Sequence, residues 1–269
     1  MLAGADEAID LGEAALEIGR EHYPGLEVAA YLARLDAMAA AVRAELAPES
    51  PTGAVVAAIN RHLFAELGFR GNQDDYYDPR NSYLNEVLDR RTGIPITLCI
   101  IYLEVGKRLG LALSGVPFPG HFLVKARAPG GEMVIDPFSR GAIVSQSELE
   151  RRIAGIVGDA QAAELPLAPL LAAASNRAIL TRMLRNLKAL YLQSERLELA
   201  LWATDHILQL EPARLLDRRD RGLIYQRLEC FRAALTDLRA YLRQRPDAED
   251  AEDIRRRILE LQSQASRLN

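Results

Sequence analysis

Cysteine is scarce: the 269 residues hold two, Cys99 and Cys230, far apart in what reads as two different domains, so no disulfide framework is expected. Long apolar runs are lacking as well. None approaches the roughly 20 residues a membrane-spanning helix needs. The opening MLAGADEAIDLGEAALEIG carries acids where a secretory signal carries lysine or arginine. A bacterial cytosolic location with no membrane partner is the expectation. Nor is there an excess of basic charge: 33 Lys and Arg face 37 Asp and Glu, a net charge of -4 that gives no drive towards nucleic acid. Ligand-type clusters are equally missing. His62 has no second ligand one turn away, and Asp74, Asp75 and Asp78 lack the alternating spacing and central glycine of a calcium loop. Neither a metal nor a cofactor is expected. What is present, 49% hydrophobic and 26% charged residues, suffices for one large domain or two smaller ones.

The first third reads as helices. From Leu26 to Leu46 apolar residues recur at helical spacing until Pro48 and Pro51 break the run. A second helix is predicted from Thr52, as N-cap, to Leu67, ended by Gly68 or Gly71. GNQDDYYDPR reads as a polar loop that packs its tyrosines on the domain. Asn81 or Ser82 then caps a short helix to Arg90, ended by Thr92-Gly93, and Pro95 suits the first turn of the next, which Gly110 stops.

LALSGV reads as a returning strand, and HFLVKAR and EMVIDPF as a hairpin around Ala128-Pro129-Gly130-Gly131. An even-length loop makes His121 and Asp136 diagonal neighbours on one face. The opposite face, with Phe122, Val124, Met133 and Ile135, reads as the more fully buried one.

From about Thr181 the chain repeats at 34 residues: Tyr191 recurs as Tyr225, Ala200 as Ala234, Leu208 as Leu242 and Pro212 as Pro246. The spacing resembles the tetratricopeptide repeat, with the helix Glu252 to Leu261 as a cap. One mismatch stands out, Lys188 where the second copy has Gly222. The repeats read either as a groove for a protein or peptide partner or as a structural tail. Cys230, among Leu228, Phe231 and Ala234, reads as a packing residue.

A thiol catalytic site needs a thiol of lowered pKa, an imidazole base and a group that orients the ring. Cys99 near a helix start, His121 opening a strand and Asp136 closing its partner supply those residue types in a return path of feasible length. Cys99 nevertheless sits about one turn inside its helix, where the helix dipole has faded and apolar neighbours raise a thiol pKa. Two readings follow, a nucleophile and a buried core cysteine. His121 and Asp136 in turn read as a ligand-binding pair or as a hydrogen-bonded closure of the sheet.

The run SYLNEVLDRRTGIPITL, with YLEV, RLGL, GVPFPGHFLV and IDPF behind it and repeats after it, resembles the bacterial SirB-type family of transglutaminase-like proteins, from about Ala54 to Leu261. The resemblance implies an α+β protein. Residues 1–165 form a helical part plus a transglutaminase-like, papain-like core with a small antiparallel sheet, and 175–269 form an all-α tetratricopeptide-like tail. By the same resemblance His121 and Asp136 fall on the family's histidine and aspartate, and Asn85 lines the cleft. The nucleophile position of a transglutaminase-like core falls on Pro95, and SirB-type proteins often carry serine or alanine rather than cysteine at the place of Cys99. Three functions are therefore expected as alternatives: a binding or regulatory module built on a degenerate thiol-enzyme fold, an active cysteine acyl transferase or peptidase with a Cys99-His121-Asp136 triad, and a scaffold. The sequence leaves substrate, partner and oligomeric state unstated.

Overall fold

A computed structural model describes residues 6–267, and the chain divides into two compact units: one spans Ala5–Leu180, and the other is built on Thr181–Asn269.

The first unit opens with α1 (Leu11–Arg20), α2 (Val28–Ala44) and α3 (Thr52–Asn60). The predicted helix from Thr52 differs in two ways. Thr52 is its first residue rather than its cap, and its hydroxyl donates to the Arg127 carbonyl. After Asn60 the winding widens into a π turn, Arg61–Glu66, which Gly68 follows at φ +75°. A two-residue strand β1 (Arg70–Gly71) comes next.

Asn81 and Ser82 do not cap a helix. They end a short 3-10 turn, Pro79–Ser82, and α4 (Leu84–Arg90) starts behind Tyr83 with no side-chain cap. Asn81 works on the loop instead, donating to the carbonyls of Asp75 at 2.7 Å and Tyr76 at 3.2 Å. Thr92 and Gly93 form β2, parallel to β1, a pairing that periodicity does not reveal.

α5 (Pro95–Arg108) carries proline at its first position, where no amide partner is lost, and every residue from Pro95 to Gly106 is buried. A helix buried all round is a core helix rather than a striped surface one. The chain then forms β3 (Leu113–Val116), β4 (Leu123–Ala128), β5 (Gly131–Asp136) and β6 (Ala142–Ile143), an antiparallel sheet in the order β3-β4-β5-β6.

The hairpin turn is tighter than read from sequence: Ala128 pairs with Gly131 across Pro129-Gly130. The loop length stays even, so the pairing parity holds. Both faces are covered. Val124, Ala126 and Ile135 are buried on the face that meets α5. The other face, the one that carries His121 and Asp136, packs Leu123 and Val134 against Leu149 and Ile153 of α6 (Gln146–Val157) and against Leu167 and Leu170 of α8 (Leu167–Leu170), which follows α7 (Asp159–Glu164).

α9 (Asn176–Gln193) leads into the second unit, where α10 (Leu197–Leu210), α11 (Leu215–Arg227), α12 (Phe231–Gln244) and α13 (Ala251–Arg267) stack in sequence. Ala200 and Ala234 are fully buried, and a side chain on Gly222 would run into Leu238, so the 34-residue pattern marks the places where helices touch. Cys230 is exposed at the start of α12, not packed, because the chain turns there and its Sγ reaches back 3.6 Å to the Leu228 carbonyl.

Lys188, the mismatch, is buried. Its ammonium spans to α11 and lies 2.6 Å from Asp217 Oδ1 and 2.7 Å from Asp220 Oδ2. Asp217 also accepts from Arg214 Nε at 2.7 Å. Removing one member of a buried pair leaves a charge uncompensated. Lys188→Ala is therefore expected to destabilise the repeats by about 3 kcal/mol, read from urea unfolding followed by the single tryptophan, Trp202. Asp220→Asn, at the more exposed arm, is expected to cost less than about 1 kcal/mol.

Candidate functional site

The sheet ends in a buried carboxylate. Asp136 closes β5 with no accessible surface, and its side chain caps the 3-10 turn Pro137–Ser139. Oδ1 accepts from the amides of Phe138 at 3.1 Å and Ser139 at 3.3 Å, and lies 2.9 Å from His121 Nε2. Oδ2 accepts from Ser139 Oγ at 3.0 Å and from Arg152 Nη1, reaching over from α6, at 3.0 Å.

Burial alone pushes a carboxyl pKa up. Here the bonds and charges of His121 and Arg152 outweigh that, and Asp136 is held below its ordinary value. Arg152 is fixed in turn by Glu148 Oε1 at 3.0 Å. An ionised carboxylate only accepts, so the His121 nitrogen that meets it carries the proton, and Nδ1 holds the lone pair when the ring is neutral. An imidazole oriented this way is a base or a hydrogen-bonding anchor.

His121 sits just before β4, in a turn set by Gly120 at φ +67° and by the bond from its own amide to the Phe118 carbonyl at 3.0 Å. Its side chain is 18% exposed, enough to meet a ligand. The Phe138 ring stands edge-on to it at 5.8 Å, Tyr76 continues at 6.3 Å from Phe138, and Tyr77 at 5.4 Å from Tyr76. Both tyrosines are exposed: Tyr76 packs on the domain through Phe138, as expected from sequence, while Tyr77 leans on Tyr76 and reaches furthest into solvent. Exposed Ile156 lies on the Gly120 side, where a side chain on that glycine would touch it.

The loop itself is anchored. Asn72 donates to Asn81 Oδ1 at 3.1 Å and accepts from the Asp75 amide at 3.0 Å, while Thr97, in the first turn of α5, donates to the Asn81 carbonyl at 2.8 Å.

Cys99 is the fifth residue of α5 and is completely buried. Its Sγ lies 3.3 Å from the carbonyl oxygen of Phe122, the residue after His121, and donates to it. Asn85, on α4, is buried against α1, its Oδ1 at 2.7 Å from where a side chain on Gly19 would begin. The structure thus joins His121 to Asp136 and brings the thiol to the adjacent backbone.

Arg152, Ser139 and the asparagine-held loop went unread in the sequence. Their only signals are an arginine on the polar face of a predicted helix and paired asparagines in a turn. His62 pairs with Glu66 at 2.7 Å, and among the described residues no group of three or more His, Cys, Asp or Glu could hold a metal.

The transglutaminase-like superfamily matches residues 29–185, and the tetratricopeptide repeat matches residues 187–258. A UPF0162 protein of Xylella fastidiosa is 40% identical over 259 residues, covering 96% of this chain and 92% of its own. UPF0162 protein YchA of Escherichia coli is 31% identical over 245 residues, 91% of this chain and 88% of its own. Protein SirB1 of Salmonella typhimurium is 33% identical over 201 residues, 73% and 72% of the two chains. No solved structure matches. Among the described residues no helix is long and apolar enough to cross a membrane.

The lowered Asp136 pKa sets a pH dependence. Its folded value lies below the unfolded carboxyl value of 3.8, so its stabilisation is complete well above that value and is lost as pH falls through the folded one. Asp136→Asn is expected to cost about 2–4 kcal/mol at pH 7, a difference from the parent that shrinks below about pH 4. Arg152→Ala shifts the acid loss to higher pH. Urea midpoints measured from pH 7 to pH 2 read both effects.

Proposed function

The chain belongs to the transglutaminase-like superfamily, in a group with the UPF0162 and SirB1 proteins, and from that premise we propose that it is a protein-binding, regulatory module that keeps the fold without its thiol chemistry. One observation carries this reading: the only cysteine near the His121–Asp136 pair is a core residue whose proton is directed at a main-chain carbonyl. A nucleophile needs a thiolate and an approach path. A fully buried thiol one turn into an all-buried helix is denied the second. What remains open to solvent is the edge of His121, the Tyr76–Tyr77 wall and Ile156, a surface suited to an extended polypeptide with an apolar side chain. Tetratricopeptide repeats, which bind proteins as a class, supply a second contact surface on the same chain. Two modest sites on one chain reinforce each other when a single partner spans them.

A second reading, an acyl-transferring or peptide-cleaving thiol enzyme, draws on the 3.3 Å contact between Cys99 and the carbonyl next to His121. Iodoacetamide separates the two. In a Cys230→Ser background Cys99 is expected to label about 100-fold more slowly than Cys230 does in the native parent, to label fast only in urea, and to be indifferent to His121→Ala. Fast native labelling that His121→Ala abolishes would establish the enzyme reading instead.

A further inference from the structure

α3 departs from α geometry one residue after Asn60, and a π turn costs hydrogen-bond quality, so something holds it there. Asn60 uses both ends of its amide. Its Nδ2 donates to the Gly141 carbonyl at 2.8 Å, and its Oδ1 accepts from the Tyr102 hydroxyl at 3.0 Å. Tyr102 is fully buried on α5, three residues after Cys99. Gly141 closes the turn that Asp136 opens, its amide donating to the Asp136 carbonyl at 2.9 Å. Gly141 stands at φ +75°, and any side chain there would collide with the Asn60 amide, so glycine and asparagine are fitted to each other.

We propose that Asn60 is a positioning residue: through its bond to Gly141 it ties the turn that follows Asp136 to the end of α3, and thereby sets the His121–Asp136 hydrogen bond. The proposal rests on the reading of that pair as the centre of the functional site. The chemistry is specific to a primary amide, since aspartate keeps the acceptor for Tyr102 but loses the donor for Gly141, and alanine loses both. Without the donor the Gly141 end of the turn loses its tether to α3, and the Phe138 and Ser139 donors that the turn presents to the Asp136 carboxylate shift with it.

The test reads the hydrogen bond rather than stability. The Nε2 proton of His121, assigned by its loss in His121→Gln, gives a solvent-exchange rate by nitrogen-15 NMR on the full chain. Asn60→Asp is expected to speed that exchange about tenfold or more, with the amide spectrum otherwise native, and Asn60→Ala at least as much. Tyr102→Phe removes the other partner and is expected to change it less than about twofold. If Asn60→Ala does not fold, the isosteric Asn60→Asp and the smaller Asn60→Ser carry the comparison. Unchanged exchange in a folded Asn60→Asp overturns the proposal, as does an equal effect from Tyr102→Phe. Neither result touches the labelling of Cys99: fast labelling sinks the binding-module reading with Asn60 intact, and unchanged exchange sinks Asn60 with that reading intact.

Discussion

A carboxylate kept ionised without contact with water is the constraint on which the first unit depends. An isolated buried charge costs more than most single contacts return, so Asp136 is tolerable only if its donors are all in place. Those donors come from three parts of the chain: His121 from the turn before β4, the Phe138 and Ser139 amides with the Ser139 hydroxyl from the turn after β5, and Arg152 from α6. Each must be in register for the others to pay off. The hairpin parity, the capping turn and the docking of α6 on the sheet are thus parts of one solution to one electrostatic problem. The same arrangement fixes the histidine tautomer, which is the feature any chemistry or recognition at this place would use.

The thiol meets a different fate because of where α5 begins. Pro95 occupies the first helical position, where orphan amides and the dipole would lower a thiol pKa, and Cys99 lies four residues further on, inside a helix buried on every side. A residue there is judged by packing. Its hydrogen bond to the Phe122 carbonyl satisfies both a weak donor and a backbone acceptor near the end of the sheet. The imidazole and the thiol therefore differ in exposure: one reaches solvent at an edge beside the Phe138 ring, and the other is completely buried with its proton on the Phe122 carbonyl.

Much of this was legible in the sequence wherever it depends on period or parity. The even hairpin loop predicted His121 beside Asp136, the 34-residue spacing marked the buried alanines of the repeats, and Pro95 located the start of α5. What escaped depends on contacts between segments far apart in the chain. Asn81 carries the side chain of a helix cap but spends it on the loop before it, where two carbonyls outcompete a helix end. The wide turn after Asn60 has no local cause, since its partners Gly141 and Tyr102 lie far along the chain. Cys230 sits among apolar neighbours in sequence but in a turn between helices in space, which leaves it exposed.

Lys188 shows the same limit from the other side. In a helix-pair repeat the small residue of the first helix lets the second approach closely, as Gly222 does beneath Leu238. A lysine in that place would be a defect if its charge had to be buried alone. Its stem instead carries the ammonium across to α11, where Asp217 and Asp220 receive it, and Arg214 balances the charge left on Asp217. A long amphipathic side chain has replaced close approach with a directed link between successive helix pairs. Non-directional packing would have allowed the two pairs to slide or rotate against each other. An ammonium bonded to both Asp217 and Asp220 does not, so the departure from the repeat pattern fixes the contact between α9 and α11 at one place.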